Sequence, residues 1–261
     1  MAATKRERDY ARKRQEKWEQ RRVQARARRQ RTFAIVAIVA VLALVGGGLV
    51  VANLGTAGNP ADTPAALAAG DCPAAETGAR SGGERPDPSA AEDRTWTASL
   101  DLCTGAGDSQ VVVELDGAAA PQAVASFVSL AKQGYFEGTS CHRLTTSGIY
   151  VLQCGDPTGT GTGDPGYSYG PIENAPKDDV YPAGTIAMAR RGDDGESMGS
   201  QFFIVYQDST IPSDNAGGYT VLGTVTSGLD AVQAVADAGV EGGAGDGSPT
   251  SPVIIEGVET Q

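Results

Sequence analysis

The stretch that decides the fold covers residues 134–161 and reads GYFEGTSCHRLTTSGIYVLQCGDPTGTG. Two short β-rich segments, 140–144 and 149–153, flank a turn-forming Thr-Ser-Gly and lead into a glycine-rich loop. Short apolar runs bounded by glycine predict a β-hairpin. Because side chains alternate across a strand, we expect His142 and Arg143 on opposite faces, with His142 packed in the structure rather than active in catalysis.

The sequence on either side of this hairpin has the same character. Pro121 suits the first turn of a helix and Gly134 suits its end, so residues 121–134 are predicted to be helical. A second helix is predicted over 230–238, and further strands over 97–102, 110–115, 184–189, 201–206, 220–225 and 253–258. Short strands, glycine-rich turns and few helices favour an all-β fold with a closed barrel over an α/β sheet.

The N-terminal part of the chain differs in charge from the rest. Residues 1–32 carry 13 of the 21 lysines and arginines, although the whole chain has a formal net charge of −11. Residues 33–52 contain no charged residue. A helix of about 20 residues spans the roughly 30 Å of a bilayer's hydrocarbon core. A basic segment directly before such a stretch predicts a cytoplasmic N-terminus by the positive-inside rule.

We therefore expect a basic cytoplasmic tail over 1–32, a single transmembrane helix over 33–52 and an exported acidic part, which would make this a cell-membrane protein. The alternative is a cleaved signal peptide, whose apolar region is shorter, at about 7–15 residues. Small residues follow at 53–58, so cleavage stays open. An acidic exported part would repel phosphate groups, and we expect no nucleic acid as its partner.

The segment between the apolar stretch and the first predicted strand, residues 53–94, is rich in Ala, Gly, Pro, Asp and Glu. This composition predicts a flexible linker that precedes a folded domain over 95–261. The chain has four cysteines, all on the exported side, and an even number permits two disulfides. With no CxxC pair and a single histidine, we expect neither a metal site nor a cofactor.

Three stretches together resemble the cyclophilin family: 134–161, 184–205 (GTIAMARRGDDGESMGSQFFIV) and 219–225 (YTVLGTV). The family's G-Y-Y-x-G-x-x-F-H-R, Q-G-G-D-P-x-G-x-G, G-x-x-x-M-A and S-Q-F-F-I motifs have counterparts here in the same order. The resemblance implies peptidyl-prolyl cis/trans isomerase activity. It also implies a closed eight-stranded antiparallel barrel capped by two helices.

The resemblance also implies roles for individual residues. Catalytic roles fall to Arg143, Gln153 and Phe203. Substrate contacts fall to Tyr150, Val151, Ala189, Arg190, Gln201, Ile211 and Tyr219. These residue types suit the chemistry, because a guanidinium stabilises the prolyl nitrogen as the amide loses resonance while apolar side chains hold the proline ring.

The chain also departs from the family pattern. Cys141 stands where the family has Phe, and Cys154 replaces the first Gly of Q-G-G-D. Because their strands form a hairpin, we predict a Cys141–Cys154 disulfide, together with Cys72–Cys103 between the linker and the first strand; free, buried thiols are the alternative. The hairpin is longer than the family's and is expected to turn at Thr-Ser-Gly. The pocket tryptophan of the family has no evident counterpart near 210–211.

The sequence thus predicts a membrane-tethered isomerase that acts on X-Pro bonds in proline-containing segments of exported proteins and assists their folding. One alternative is a non-catalytic proline-peptide-binding module or chaperone on the same fold. A second is a structural role at the cell envelope, in which the basic tail is the active part.

Overall fold

The computed structural model describes residues 72–261, which contain eleven strands, two α-helices and two short 3-10 helices. In chain order the elements are β1 (Thr95–Thr104), β2 (Gly107–Asp116), α1 (Pro121–Lys132), β3 (Arg143–Ser147), β4 (Ile149–Cys154), β5 (Val180–Tyr181), β6 (Thr185–Met188), β7 (Phe202–Val205), β8 (Ser209–Thr210), β9 (Val221–Ser227), α2 (Leu229–Ala238), β10 (Asp246–Gly247) and β11 (Ile254–Thr260). The 3-10 helices are Pro88–Ala91 and Glu241–Gly243.

The described strands form one curled, all-antiparallel sheet and a small pair. The sheet has nine strands in the order β10-β3-β4-β7-β6-β9-β2-β1-β11, and β5 pairs with β8. The all-β fold with two helices is as predicted. The closed eight-stranded barrel is wrong, because the sheet is open between β10 and β11.

Loop backbone, rather than a strand ladder, lies along this opening. The segment before β3 reaches β11 through Gly138 N–H to the Ile255 carbonyl at 2.7 Å and Cys141 N–H to the Val253 carbonyl at 2.9 Å. In the other direction, Ile255 N–H donates to the Thr139 carbonyl at 2.8 Å. Beyond β3 the sheet is extended instead by the two-residue strand β10. These contacts satisfy backbone groups at a sheet edge that water would otherwise have to solvate.

The main core lies between one face of the sheet and the helices. Alternation along β7 buries Phe202 against α1, where its ring meets Phe127 edge-on at a centroid distance of 5.4 Å. Phe136 stands at 5.7 Å from Phe202 and completes the aromatic group. Because Phe203 faces the other way, the prediction that this pair divides between two faces of the strand is confirmed.

Both predicted disulfides are present. Cys72 is bonded to Cys103 and Cys141 to Cys154, with Cα–Cα distances of 5.6 and 4.0 Å. None of these four cysteines is free. The second bond joins the residue two before Arg143 to the last residue of β4, so it closes the base of the β3–β4 hairpin.

The linker over 53–94 stays a prediction, and its described part, residues 72–94, lies as a strap along the domain. Backbone N–H groups of Glu76, Gly78 and Gly82 donate to the carbonyls of Gly138, Pro157 and Pro165 at 2.8, 3.0 and 2.8 Å. The strap is held by backbone hydrogen bonds and a disulfide rather than by an apolar stripe. Composition therefore gave no indication of it.

No helix within residues 72–261 has the length and apolar character needed to cross a membrane. The predicted transmembrane helix over 33–52 and basic tail over 1–32 lie outside the described residues.

Candidate active site

Adjacent strands place a row of side chains across the face of the sheet opposite the main core. Arg143 on β3 lies directly opposite Gln153 on β4, and Gln153 lies opposite Phe203 on β7. Phe203 in turn lies opposite Ala187 on β6. Directly opposed residues point to the same face, so a guanidinium, an amide and a phenyl ring follow one another. The long hairpin turns at Gly148, as predicted, and its extra length lies beyond this row.

Apolar side chains on this face form a second cluster, separate from the main core. Phe203 is only 5 % exposed there, and the Tyr219 ring meets it edge-on at a centroid distance of 5.6 Å. The buried members are Val151, Tyr181, Ala187, Phe203, Val205 and Ile211, with Ile149, Ala189, Tyr219 and Val221 packed against them. The structure therefore brings together Val151, Ala189, Phe203, Ile211 and Tyr219, all of which were predicted to be site residues.

Beside the cluster, polar side chains form a continuous hydrogen-bonded chain. Arg143 Nη1 donates to Gln153 Oε1 at 3.2 Å, and Gln153 Nε2 donates to Gln201 Oε1 at 2.9 Å. Gln201 Nε2 then donates to the carbonyls of Gly161 and Gly163 at 3.1 and 2.9 Å. Each glutamine uses its NH₂ group as a donor and its oxygen as an acceptor, so the orientation of each amide is fixed by its two neighbours. The glycine-rich loop therefore orients Gln201, and Gln201 orients Gln153.

Asp156 fixes the glycine-rich loop from beneath. Its side chain is fully buried, and it accepts hydrogen bonds from Thr158 N–H at 2.7 Å and Gly161 N–H at 2.5 Å. Burial by itself raises the pKa of this carboxyl, but the hydrogen bonds from Thr158, Gly163 and Gly161 outweigh burial and hold the pKa below its usual value. The loop carbonyls that hold Gln201 are thus supported by a buried, ionised carboxylate.

Asp246, which no sequence motif marks, holds the other edge of the Arg143 guanidinium. Nε donates to Oδ1 at 2.8 Å and Nη2 donates to Oδ2 at 2.7 Å. The hydrogen bond lowers the pKa of Asp246 and raises that of Arg143, so both groups stay charged. The two side chains remain 54 % and 41 % exposed, and the guanidinium is therefore reachable from solvent.

Arg190 lies beside the site but is not free to bind a substrate through its side chain. The guanidinium is fully buried and donates to both Asp214 oxygens at 2.8 Å. Its other hydrogen bonds go to the carbonyls of Gly218, Arg191 and Gly217 at 2.9, 3.0 and 2.6 Å. All five N–H groups are therefore used within the protein. The Arg190 side chain therefore holds the loop that leads into β9, and the substrate contact predicted for Arg190 stays a prediction.

Tyr150, another predicted site residue, is not among the residues of the second cluster. It packs against the main core, where its ring meets Tyr206 at a centroid distance of 6.0 Å. Strand alternation is the reason, because Val151 points to the site face and its neighbour must point away. The same alternation places Ile149 on the site face, and counting by twos from Val151 would have identified it.

Tyr181 had no local sequence signal, because it lies on the separate β5–β8 pair. It is fully buried in the second cluster, and its hydroxyl accepts the Tyr219 N–H at 2.8 Å.

His142, the single histidine, lies next to the row but takes no part in it. Neither ring nitrogen has a hydrogen-bond partner among the described residues. Burial lowers its pKa, with Arg143 adding to the effect and Asp156 opposing it. A partly buried, neutral ring without partners is consistent with the predicted packing role.

A cavity of about 720 Å³ lies on one side of this polar chain. Its lining includes Gln153, Gln201, Ala189, Arg191 and Ser197. Such a volume falls in the range of sites that accept a short peptide segment or a small ligand.

Comparison with known proteins agrees with this arrangement. A family model described as "Cyclophilin type peptidyl-prolyl cis-trans isomerase/CLD" matches residues 99–260. The chain is 49 % identical over 150 residues to a probable peptidyl-prolyl cis-trans isomerase B of Mycobacterium tuberculosis, covering 53 % of this chain and 47 % of that protein. The Mycobacterium leprae protein of the same name is 42 % identical over 172 residues, covering 61 % and 56 %. The chain thus spans about half the length of these relatives.

A solved structure is similar as well. The cyclophilin type peptidyl-prolyl cis-trans isomerase of Cryptosporidium parvum, crystallised in the presence of the dipeptide Ala-Pro, aligns with a TM-score of 0.51 at 28 % identity. The alignment covers 62 % of this chain and 98 % of that one. The matched residues 99–260 contain the Arg143–Gln153–Phe203 row and the second cluster, and the chain belongs to the cyclophilin-type peptidyl-prolyl cis-trans isomerase family.

Proposed function

We propose that this protein catalyses cis/trans isomerisation of X-Pro peptide bonds, with Arg143 as its central catalytic residue. One observation carries the proposal: an oriented guanidinium stands in the same row as Phe203, beside a buried apolar cluster. Of its five N–H groups, the described contacts use two for Asp246 and one for Gln153. Two N–H groups therefore remain for a substrate.

The chemistry needs neither a nucleophile nor a cofactor. Rotation about an X-Pro amide must overcome a barrier of about 18–20 kcal/mol, which comes from amide resonance. In the twisted state the amide loses its resonance, and the lone pair becomes localised on the prolyl nitrogen. A guanidinium N–H directed at that nitrogen can then donate a hydrogen bond to it, which favours the twisted state. One such charge-assisted bond contributes about 1.5–3 kcal/mol, or roughly 10- to 100-fold in rate. The apolar cluster supplies a water-poor surface for the proline ring while the preceding carbonyl swings.

The supporting residues would act through orientation. Gln153 and Gln201 form the hydrogen-bonded chain that holds Arg143 relative to the glycine-rich loop. Val151, Phe203 and Ile211 would bind the proline ring, in keeping with the Ala-Pro dipeptide present with the C. parvum relative. Proline-containing segments of other proteins are the expected substrates.

We further propose that the protein is a single-pass membrane protein with its catalytic domain outside the cytoplasm, where it assists the folding of exported proteins. The support is the basic segment 1–32 followed by the uncharged residues 33–52, together with two disulfides, which persist in oxidising compartments. The full chain should stay in the membrane fraction after carbonate washing, and deletion of 33–52 should release it. A mature N-terminus beginning after residue 52 would instead establish a cleaved signal peptide.

The catalytic role of Arg143 is tested by the full-length Arg143→Ala variant. We expect kcat/KM on a proline tetrapeptide to fall about 10- to 100-fold, because one charge-assisted bond to the twisted amide is lost. The matched control is Arg85→Ala, an exposed arginine in the strap that does not line the cavity. Equal rates for Arg143→Ala and the wild type would contradict the proposal.

Exchange spectroscopy on the same peptide separates catalysis from binding. Catalysis exchanges the cis and trans signals of the peptide, whereas a non-catalytic binding module would shift these signals without exchanging them. Shifts without exchange for the wild type would favour the alternative of a binding module or chaperone.

A further inference from the structure

The Arg143 guanidinium has two hydrogen-bond partners, which lie on the two strands that flank β3. Gln153 on β4 contacts it through a single bond at Nη1. Asp246 on β10, 103 positions further along the chain, contacts it through two parallel bonds at Nε and Nη2. A fork of this kind fixes the plane of the guanidinium as well as its position, which a single hydrogen bond cannot do.

The backbone holds Asp246 in place independently of its side chain. β10 pairs with β3 in the register Asp246–Thr145 and Gly247–Leu144. The preceding Gly245 carbonyl accepts the Thr146 N–H at 2.9 Å. A Cβ at Gly245 would lie 2.9 Å from the Ser147 Cβ, so the strand approaches β3 as closely as it does only because glycine stands there. Substitution of the Asp246 side chain therefore leaves its strand attached.

The ion pair contributes orientation rather than stability. Both side chains are about half exposed, and pairs of this kind add little to the folding free energy. Solvent also screens the carboxylate charge, so the guanidinium keeps most of its electrostatic effect on a substrate. Loss of orientation, in contrast, is costly, because a displacement of about 1 Å at a reacting centre lowers a rate by as much as 10²-fold.

We propose that Asp246 is a positioning residue for the isomerase reaction: it holds the Arg143 guanidinium in the plane from which its two remaining N–H groups reach the substrate. The proposal rests on the function proposed above, because it assigns Asp246 an effect that acts only through Arg143. No further group is needed for the step, since no covalent bond forms or breaks and no proton moves.

The test compares full-length Asp246→Ala, Asp246→Asn and the control Glu241→Gln, an exposed carboxylate in the 3-10 helix five positions earlier. For Asp246→Ala we expect kcat/KM to fall about 10-fold, mostly in kcat, because the site still binds proline while the arginine is no longer oriented. Asp246→Asn retains one acceptor oxygen and should lose only about 3-fold. Glu241→Gln should match the wild type.

A double-mutant cycle supplies the readout that a merely structural role would not move. In the Arg143→Ala background, Asp246→Ala should cause no further loss, because its target is gone. A further loss of the full 10-fold there would overturn the proposal, as would an Asp246→Ala variant that equals or exceeds the wild type. Failure of Arg143→Ala to reduce activity would instead refute the proposed function, so the two failures can be told apart.

Discussion

Arg143 and Arg190 both grip an aspartate through two parallel hydrogen bonds, and their surroundings give them different roles. The Arg190 side chain is fully buried and uses every N–H within the protein, on Asp214 and three backbone carbonyls. The Arg143 side chain is 41 % exposed and keeps two N–H groups free of described partners. The buried pair therefore leaves no donor for a substrate, whereas the exposed pair leaves two N–H groups for the role proposed for Arg143.

Arg190→Met keeps the bulk of the side chain but removes all five of its hydrogen bonds. We expect the free energy of unfolding to fall by about 2–3 kcal/mol, because buried carbonyls and a carboxylate lose their donor. Chemical denaturation measures this loss. The neighbouring Arg191→Met is the control and should change stability by less than about 0.5 kcal/mol. Equal losses for the two variants would mean that Arg190 is not a clamp.

Lysine at position 143 or 190 tests the two roles separately, because an ammonium group keeps the charge but cannot form two parallel hydrogen bonds to an aspartate. Arg143→Lys should lower kcat/KM about 10-fold and change the free energy of unfolding by less than about 0.5 kcal/mol. Arg190→Lys should do the reverse, costing about 1–2 kcal/mol of stability and less than about 3-fold in activity. The crossed pattern, with Arg190→Lys inactive and Arg143→Lys unstable, would reverse the assignment of roles.

The smallest effect is the pH dependence of the two pairs. Both aspartates have pKa values lowered chiefly by their arginine, so each contributes stability above the unfolded pKa of about 4 that is lost as pH falls through the folded value. The shift is larger for Asp214, which also accepts backbone hydrogen bonds. Below about pH 5, the free energy of unfolding should therefore depend less steeply on pH in Asp214→Asn than in Asp246→Asn. A larger effect from Asp246→Asn would contradict this order.

Much of the site followed from local pattern and resemblance. Strand alternation separated Phe202 from Phe203, and the two cysteines at the base of the β3–β4 hairpin paired as expected. The family resemblance gave Tyr150 a pocket role, whereas the structure packs its ring against the main core and places Val151 in the second cluster. A one-residue shift reverses the face of a strand residue, and only cross-strand pairing settles the phase.

The features of the structure that the sequence did not predict come from contacts between distant parts of the chain. Asp246 lies in a Gly-Asp-Gly sequence that matches no motif, and its link to Arg143 arises only when β10 pairs with β3. The strap over 72–94 shows no apolar periodicity because backbone hydrogen bonds and Cys72–Cys103 hold it. The sheet stays open because the segment before β3 meets β11 through loop backbone, a feature that strand counting cannot foresee.

The amino-acid sequence determined the strand-rich class and predicted the Cys141–Cys154 pair, because alternation and turn chemistry act over a few residues. Its motifs implied Arg143, Gln153 and Phe203 as site residues only through the resemblance to the cyclophilin family. The tertiary structure alone decided which arginine is buried and which is exposed. Burial and the number of donors left over depend on strands and loops that meet from far apart in the chain, and the residue type is the same at both positions.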